Sequence, residues 1–269
     1  MGLVQGLTEF LPVSSSGHLT IFSALFGVQK QNLSFEVIVH AATVLSTIVV
    51  FRKEIWRLIE GLFNLKMNPG KDYIFKICVS MLPVLIVGLF FKDFVESMFG
   101  SGLFIVGLML LLTALLLSLS EILAKREARR SATAGSDGLS GRSVTYKDAF
   151  IIGLAQAVAV MPGLSRSGST ISTGLMLGVK RSEVAQFSFL MVLVPVLGEA
   201  FLELTGGEFS VAESGLSAIS LLLGFISAFV AGLFACKLMI NLVKNLKLWG
   251  FAIYCFIVGV ACIISNICC

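Results

Sequence analysis

Residues 5–18 read QGLTEFLPVSSSGH and crowd an amide (Gln5), a carboxylate (Glu9), three consecutive hydroxyls (Ser14, Ser15, Ser16) and an imidazole (His18) into one short stretch. Thr8 adds a further hydroxyl. A second stretch, residues 156–170, reads QAVAVMPGLSRSGST and supplies what the first lacks, a permanent cation at Arg166, beside Ser165, Ser167 and Thr170. A hydroxyl attacks phosphorus poorly unless a neighbouring base takes its proton. Ser15 and His18 are three residues apart, and Ser14 and His18 four, so a regular turn puts them on one face. Gln5 and Glu9 also stand one turn apart, and Glu9 can orient His18, act as base, or hold a divalent ion with Gln5. A hard cation prefers several oxygen ligands, and only one carboxylate is plainly present. Arginine suits phosphate because its planar fork makes two parallel charge-assisted bonds. The chemistry these types support is binding and cleavage of a phosphate or diphosphate.

The elements that must position them are membrane-grade. Of 269 residues, 57% are hydrophobic and 13% charged, against about 25% charged in a soluble domain. Mean hydropathy is +0.96. The net charge of +4 collects in loops and sets orientation, and no basic patch interleaved with aromatics points to nucleic acid. The six cysteines show neither CxxC spacing nor histidine neighbours, which excludes a structural zinc site. No cleavable signal peptide is visible, and the chain begins almost inside its first motif, so a helix leading into that motif is expected ahead of it.

Six apolar spans are expected, at 35–51, 74–91, 101–123, 183–205, 216–236 and 248–268. Segments 1–26 and 148–180 are hydrophobic too, but Pro12 interrupts one and Pro162–Gly163 the other. Broken helices at membrane depth are tolerated where the loose backbone is buried in protein or lines a wet cavity, so each reads as a re-entrant helix–loop–helix hairpin. Basic loops at 52–73, 124–147, 180–181 and 237–247 are placed in the cytoplasm, and loops 92–100 and 206–215 outside. The Gly/Ser-rich stretch 131–143 reads as a flexible connection, and the linker's charges as a solvated loop before a lipid contact.

The two motifs repeat. Gln5 and Gln156, and likewise Gly17 and Gly168, lie 151 residues apart. The fold class expected is an all-α polytopic membrane protein with six transmembrane helices and two re-entrant hairpins in an inverted repeat. It divides into a first repeat (1–123), a basic linker (124–147) and a second, inverted repeat (148–269), together one membrane domain. Three spans separate the copies, so one hairpin dips in from outside and the other from inside, and their tips meet near mid-membrane. Helices restart near Ser16 and Ser167, presenting N–H groups and a positive dipole end, although a serine there is also an ordinary N-cap. A direct contact between Ser15 and Arg166, equivalent positions in the repeat, is the sharpest expectation. Elsewhere, His40 beside Glu36 reads as a structural pair or mouth-lining group, Glu199 and Glu203 as an interfacial or cavity-lining pair, and Glu121 with Lys125 as a span end.

QGLTEFLPVSSSGH and MPGLSRSGST resemble the two signature motifs of the undecaprenyl-diphosphate phosphatase family associated with bacitracin resistance, and the likeness extends over essentially the whole chain. The resemblance implies hydrolysis of the C55 isoprenyl diphosphate carrier to its monophosphate in bacterial envelope synthesis, from a site facing outward in the cytoplasmic membrane. It implies Glu9, Ser15, His18 and Arg166 as catalytic residues, with Gln5, Ser14, Ser16, Ser165, Ser167 and Thr170 binding substrate. It also implies a divalent cation (Mg or Ca) with Glu9 as its ligand, although Gln5 stands where the family has Glu or Gln and weakens a two-carboxylate site. Partners implied are the polyprenyl diphosphate, membrane lipids and bacitracin acting on the substrate, with a homodimer left open. The mechanism expected is attack by Ser15, activated by His18 with Glu9 behind it. His18 as nucleophile, or Glu9 activating water, are the alternatives. An inverted-repeat transporter or flippase for a lipid phosphate or anion is the functional rival. A second lipid phosphatase superfamily with a Ser-Gly-His signature is excluded by its missing Lys/Arg-Pro and terminal His/Asp motifs.

Overall fold

The computed structural model describes residues 1–27, 33–63, 66, 68–99, 102–133, 141–206, 217–245 and 247–268. Among these there is no strand. The helices are α1 (Gly2–Thr8), α2 (Ser15–Leu25), α3 (Leu33–Val50), α4 (Arg52–Phe63), α5 (Pro69–Phe90), α6 (Lys92–Phe99), α7 (Gly102–Thr133), α8 (Tyr146–Val158), α9 (Arg166–Met176), α10 (Arg181–Gly206), α11 (Ala218–Asn245) and α12 (Trp249–Cys268). Five of them, α5, α7, α10, α11 and α12, are long and apolar enough to cross a membrane. A sixth span results if α3 and α4, bent 76° against each other, are counted as one.

Each boundary has a local cause. Asn68 caps α5 by accepting from the Lys71 N–H at 3.0 Å, with Pro69 in the first turn. Thr145 and Asp148 form a reciprocal capping box on α8. The loop expected over 52–73 is largely helix α4. It carries Arg52, Lys53, Glu54, Arg57 and Glu60 on one side, so it turns away from α3 instead of extending an apolar span. α7 continues ten residues past the expected end of its span at 123, because the sequence there is rich in Ala, Glu, Lys and Arg, all strong helix formers. Most of the Gly/Ser-rich stretch, 134–140, lies outside the described residues, as do 207–216 in the acidic loop and the side chain of Glu199 and Glu203.

Two polar ties close the end of the bundle where the linker returns. Arg142 grips Asp148 through both guanidinium nitrogens, with Nη2 donating to Oδ1 at 2.8 Å, and also donates to the Leu177 carbonyl at 3.1 Å. Glu121 is buried at the cytoplasmic end expected of its span, but its partners are distant in sequence. It accepts from Arg181 Nη2 and from the Leu248 N–H, both at 2.9 Å, tying α7 to the starts of α10 and α12. A carboxylate with these partners fixes the relative height of three helices.

The broken helices sit deep in the packing. α1 lies along α11 and α8 lies along α5, while α7 pairs with α12 and α9 leans on α7. The approach is close. A Cβ on Gly2 would stand 2.4 Å from the Gly224 carbonyl oxygen, and one on Gly153, its match in the repeat, 2.2 Å from the Ser80 carbonyl oxygen. Neither backbone can yield by rotating a side chain, so both positions demand glycine. We expect Gly153→Val to cost about 1–3 kcal/mol through overpacking, seen as a lowered thermal midpoint of the detergent-purified protein. Gly250→Ala, where nothing lies within 4 Å, should leave the midpoint unchanged.

Candidate active site

The chain between α1 and α2 turns at residues 9–14, and that between α8 and α9 at 159–165. Both turns end in the same device. Ser14 Oγ accepts from the Gly17 N–H at 3.2 Å, and Ser165 Oγ accepts from the Gly168 N–H at 3.1 Å. Each capping hydroxyl lies 3.4 Å from the hydroxyl two residues on, Ser16 and Ser167. The two tips interlock. The Gly163 N–H donates to Ser16 Oγ at 3.4 Å, and Ser167 Oγ donates to the Leu11 carbonyl at 3.2 Å. A Cβ on Gly17 would come within 3.1 Å of the Gly163 Cα, so main chain meets main chain there.

Glu9 is the hub beside this junction. Its Oε2 accepts from Ser15 Oγ at 2.6 Å and from Gln5 Nε2 at 2.9 Å. His40 Nε2 stands 3.9 Å from the same oxygen, and Arg166 also interacts with the carboxylate electrostatically. A cleft opens over Glu9 and Arg166. Its polar part is completed by Thr43, Thr47, Ser167 and Ser188, and its flank is apolar, formed by Phe10, Val44, Phe189, Val192, Leu193 and Val196. Arg166 Nη1 is buried and has no hydrogen-bond partner among the described residues. Gln5 Oε1 and Ser188 Oγ are likewise buried without partners there. A buried guanidinium nitrogen without an acceptor is expensive unless a ligand supplies one, so the cleft is built for an anion with an apolar attachment.

Three expectations meet a different geometry. No hydrogen bond joins Ser15 to Arg166 among the described residues; Glu9 accepts from Ser15 and interacts electrostatically with Arg166. The His18 ring turns away from Ser15. Its Nδ1 faces the Ser14 carbonyl at 2.8 Å and its Nε2 faces Tyr254 Oη at 2.7 Å, with the two rings stacked. A carbonyl only accepts, so Nδ1 carries the proton and the neutral ring accepts from Tyr254 at Nε2. The reason is position within α2. His18 is on the first turn, and its side chain points back over the turn N-terminal to it, toward Ser14. Finally, Thr170 and Thr8 spend their hydroxyls on the carbonyls of their own helices, at 3.0 Å to Arg166 and 2.7 Å to Val4.

Sequence reasoning read His40 as a pair for Glu36 or a mouth-lining group without joining it to Glu9, and missed Tyr254 as a neighbour of the site. His40 Nδ1 faces the Glu36 main-chain carbonyl at 2.9 Å, leaving Nε2 for Glu9. The signal was present. Glu36, His40, Thr43 and Thr47 recur at helical spacing and form one polar stripe on α3. Tyr254 gave no such signal, being a single hydroxyl in the apolar run of α12. The donor set also bears on a metal. Glu9 and the unpartnered Gln5 Oε1 offer oxygens one turn apart, but among the described residues no group of three or more His, Cys, Asp or Glu side chains gathers as a metal cage.

The fold is that of a helical membrane protein whose cleft sets a carboxylate and a guanidinium side by side. Comparison with known proteins narrows the class. The family described as bacitracin resistance protein BacA matches residues 1–261. An undecaprenyl-diphosphatase of Bacteroides thetaiotaomicron is 55% identical over 271 aligned positions, covering 99% of this chain and 97% of that protein. An undecaprenyl-diphosphatase of Parabacteroides distasonis is 55% identical, covering 98% and 95%. One from Methanococcus vannielii is 39% identical, covering 96% and 94%. The chain belongs to the BacA family.

The cleft's charge can be tested without turnover. Inorganic pyrophosphate should raise the thermal midpoint of the wild-type protein in detergent, because a ligand that binds only the folded state stabilises it. Arg166→Ala should abolish that rise. An equal rise in both proteins would place the anion elsewhere.

Proposed function

We propose that this protein hydrolyses undecaprenyl diphosphate to undecaprenyl phosphate and inorganic phosphate, recycling the carrier lipid for cell-wall synthesis. One observation carries the reading beyond family membership: the Ser15 hydroxyl lies 2.6 Å from the carboxylate of Glu9, and Glu9 lines a cleft together with Arg166, whose Nη1 is buried without a partner among the described residues. The amphipathic cleft matches such a substrate, with its diphosphate on Arg166 and the first isoprene units against Phe189, Val192 and Val196.

In this mechanism Arg166, the N–H groups of the restarting helices and the tip hydroxyls neutralise the diphosphate. Positioning and charge stabilisation dominate, as in phosphoryl transfer generally. Ser15 Oγ forms a bond to the terminal phosphorus while Glu9 takes its proton. The bond from that phosphorus to the bridging oxygen breaks, and the electron pair leaves with the prenyl monophosphate. Glu9 gives the serine proton up to solvent once the prenyl monophosphate has left. Water then attacks the phosphoserine phosphorus and passes a proton to Glu9. The bond from phosphorus to Ser15 Oγ breaks, and Glu9 returns the proton to Ser15 Oγ, so that inorganic phosphate leaves and the serine is restored. Glu9 is assigned the role of base because His18 has both ring nitrogens occupied. His40 adds a second positive group beside Glu9 when protonated. The Mg or Ca ion that the family implies would be held by Glu9 and Gln5 Oε1 with phosphate oxygens completing its shell, and it would supply further charge neutralisation.

The same reading covers the topology. It comprises six spans and two re-entrant hairpins, the second half inverted relative to the first, in the bacterial cytoplasmic membrane with the cleft open to the external face. Support comes from the 151-residue offset, the matched capping serines, and the equivalent seating of α1 on α11 and α8 on α5. Bacitracin, on this reading, acts by binding the lipid substrate.

Phosphate release from a prenyl diphosphate in detergent, with and without Mg or Ca, is the direct test. Wild type should turn over. Glu9→Gln should lose about 10²–10⁴-fold in kcat, the range for removing a general base, and Ser15→Ala, which removes the nucleophile itself, at least as much. Arg166→Ala should lose both affinity and rate. Near-full turnover by Ser15→Ala would reject the serine route, and no release by wild type under any divalent condition would reject the phosphatase.

A further inference from the structure

The tip between α1 and α2 is strained and the tip between α8 and α9 is not. Ser14 has φ 71°, and among the described residues it is the only non-glycine with positive φ. Its match in the repeat, Ser165, has a relaxed φ of −72° although it makes the same capping bond. Residues held in such regions persist only where their surroundings over-determine them. The Ser14 carbonyl accepts twice, from the His18 main-chain N–H at 3.1 Å and from His18 Nδ1 at 2.8 Å. The ring is itself held from outside the hairpin by Tyr254 of α12, whose hydroxyl lies 2.7 Å from Nε2 and whose ring stacks on it with centroids 5.6 Å apart. The next residue on α12, Cys255, reaches the same tip, its Sγ donating to the Pro12 carbonyl at 3.5 Å. The relaxed tip is also held from outside its hairpin, the Ser165 N–H donating to Thr113 Oγ1 of α7 at 3.1 Å, but among the described residues no aromatic ring or side-chain donor bears on the Ser165 carbonyl. The position matching His18 there is Ser169, whose hydroxyl has no partner among the described residues.

We propose that Tyr254 is a positioning residue for the reaction: by holding the plane of the His18 ring, whose tautomer the Ser14 carbonyl sets, it pins the strained Ser14 peptide and keeps Ser15 Oγ on Glu9. His18 then acts through the main chain and never on the reacting atoms. Strain and aromatic clamp occur together, and only at the tip that carries the hydroxyl bound to a carboxylate. The two contacts of the ring assign it one orientation, with Nδ1–H to the carbonyl and Nε2 to the phenol. Losing the phenol hydroxyl frees the ring to flip, so the carbonyl loses its second donor and the peptide relaxes. The binding groups on α9 are untouched by that change.

This inference rests on the phosphatase reading above. The test is a double-mutant cycle on the full chain in detergent, measuring kcat, KM and thermal midpoint with a prenyl diphosphate. Tyr254→Phe keeps the stacked ring and removes the hydroxyl. It should lower kcat about tenfold, the scale of one lost hydrogen bond, with KM and the midpoint unchanged. His18→Asn places an amide N–H where Nδ1 stands and should retain more activity than His18→Ala. Adding Tyr254→Phe to His18→Asn should cost nothing further, because the phenol no longer has its acceptor. A wild-type kcat in Tyr254→Phe, a loss confined to KM, or an equal tenfold loss in the His18→Asn background would overturn the proposal while leaving the phosphatase intact. A wild-type protein that releases no phosphate would overturn both.

Discussion

A carboxylate held among apolar helices must be compensated, and the arrangement of this protein follows from compensating Glu9. Its partners come from three directions: Gln5 from the same helix, Ser15 from the helix beyond the turn, and His40 from α3. Arg166 adds its charge from the other half of the chain. Removing any one leaves a buried anion short of donors or charge, which costs far more than a surface pair would. The same demand explains why the turn after α1 is sharp. Only a reversal at residues 9–14 brings the start of α2 back beside the end of α1, so that Ser15 reaches Glu9.

The sequence made the membrane elements readable because each depends on a local property. Apolar runs of span length located α5, α7, α10, α11 and α12, with α7 and α11 extending further at their C-terminal ends than expected, and Pro12 and Pro162–Gly163 announced both interruptions. α4 was hidden because its charges outweigh its apolar face in any hydropathy average. The site was half legible. Glu9, Ser15 and Arg166 stand out as polar groups in apolar surroundings, and the structure brings Glu9 to Ser15 and to the cleft shared with Arg166. The direction of His18 was not legible, since its partner Tyr254 lies 236 residues away on a helix whose rotation about its axis no local pattern specifies. His40 falls between: its stripe with Thr43 and Thr47 marks a polar face, but only the seating of α1 decides that the face looks at Glu9.

The repeat shows how far two copies can diverge over one backbone plan. Capping serines and the following glycines are kept at both tips, because both helices must start there with their N–H groups satisfied. The charged groups are not shared. Val160 occupies the position matching Glu9, Ser169 that matching His18, and Arg166 that matching Ser15. A symmetric pair of carboxylates at the junction would repel, and a symmetric pair of arginines would leave no base. One acid and one guanidinium attract each other across the junction.

The interlocked tips also hold the halves together. Gly17 presses on Gly163, and two hydrogen bonds cross the junction, so separating the halves there means breaking main-chain contacts and exposing four polar groups away from water. A carrier that alternates between two faces needs a junction that parts at little cost. Here the junction is a keystone. The two halves are therefore locked to each other where their tips meet.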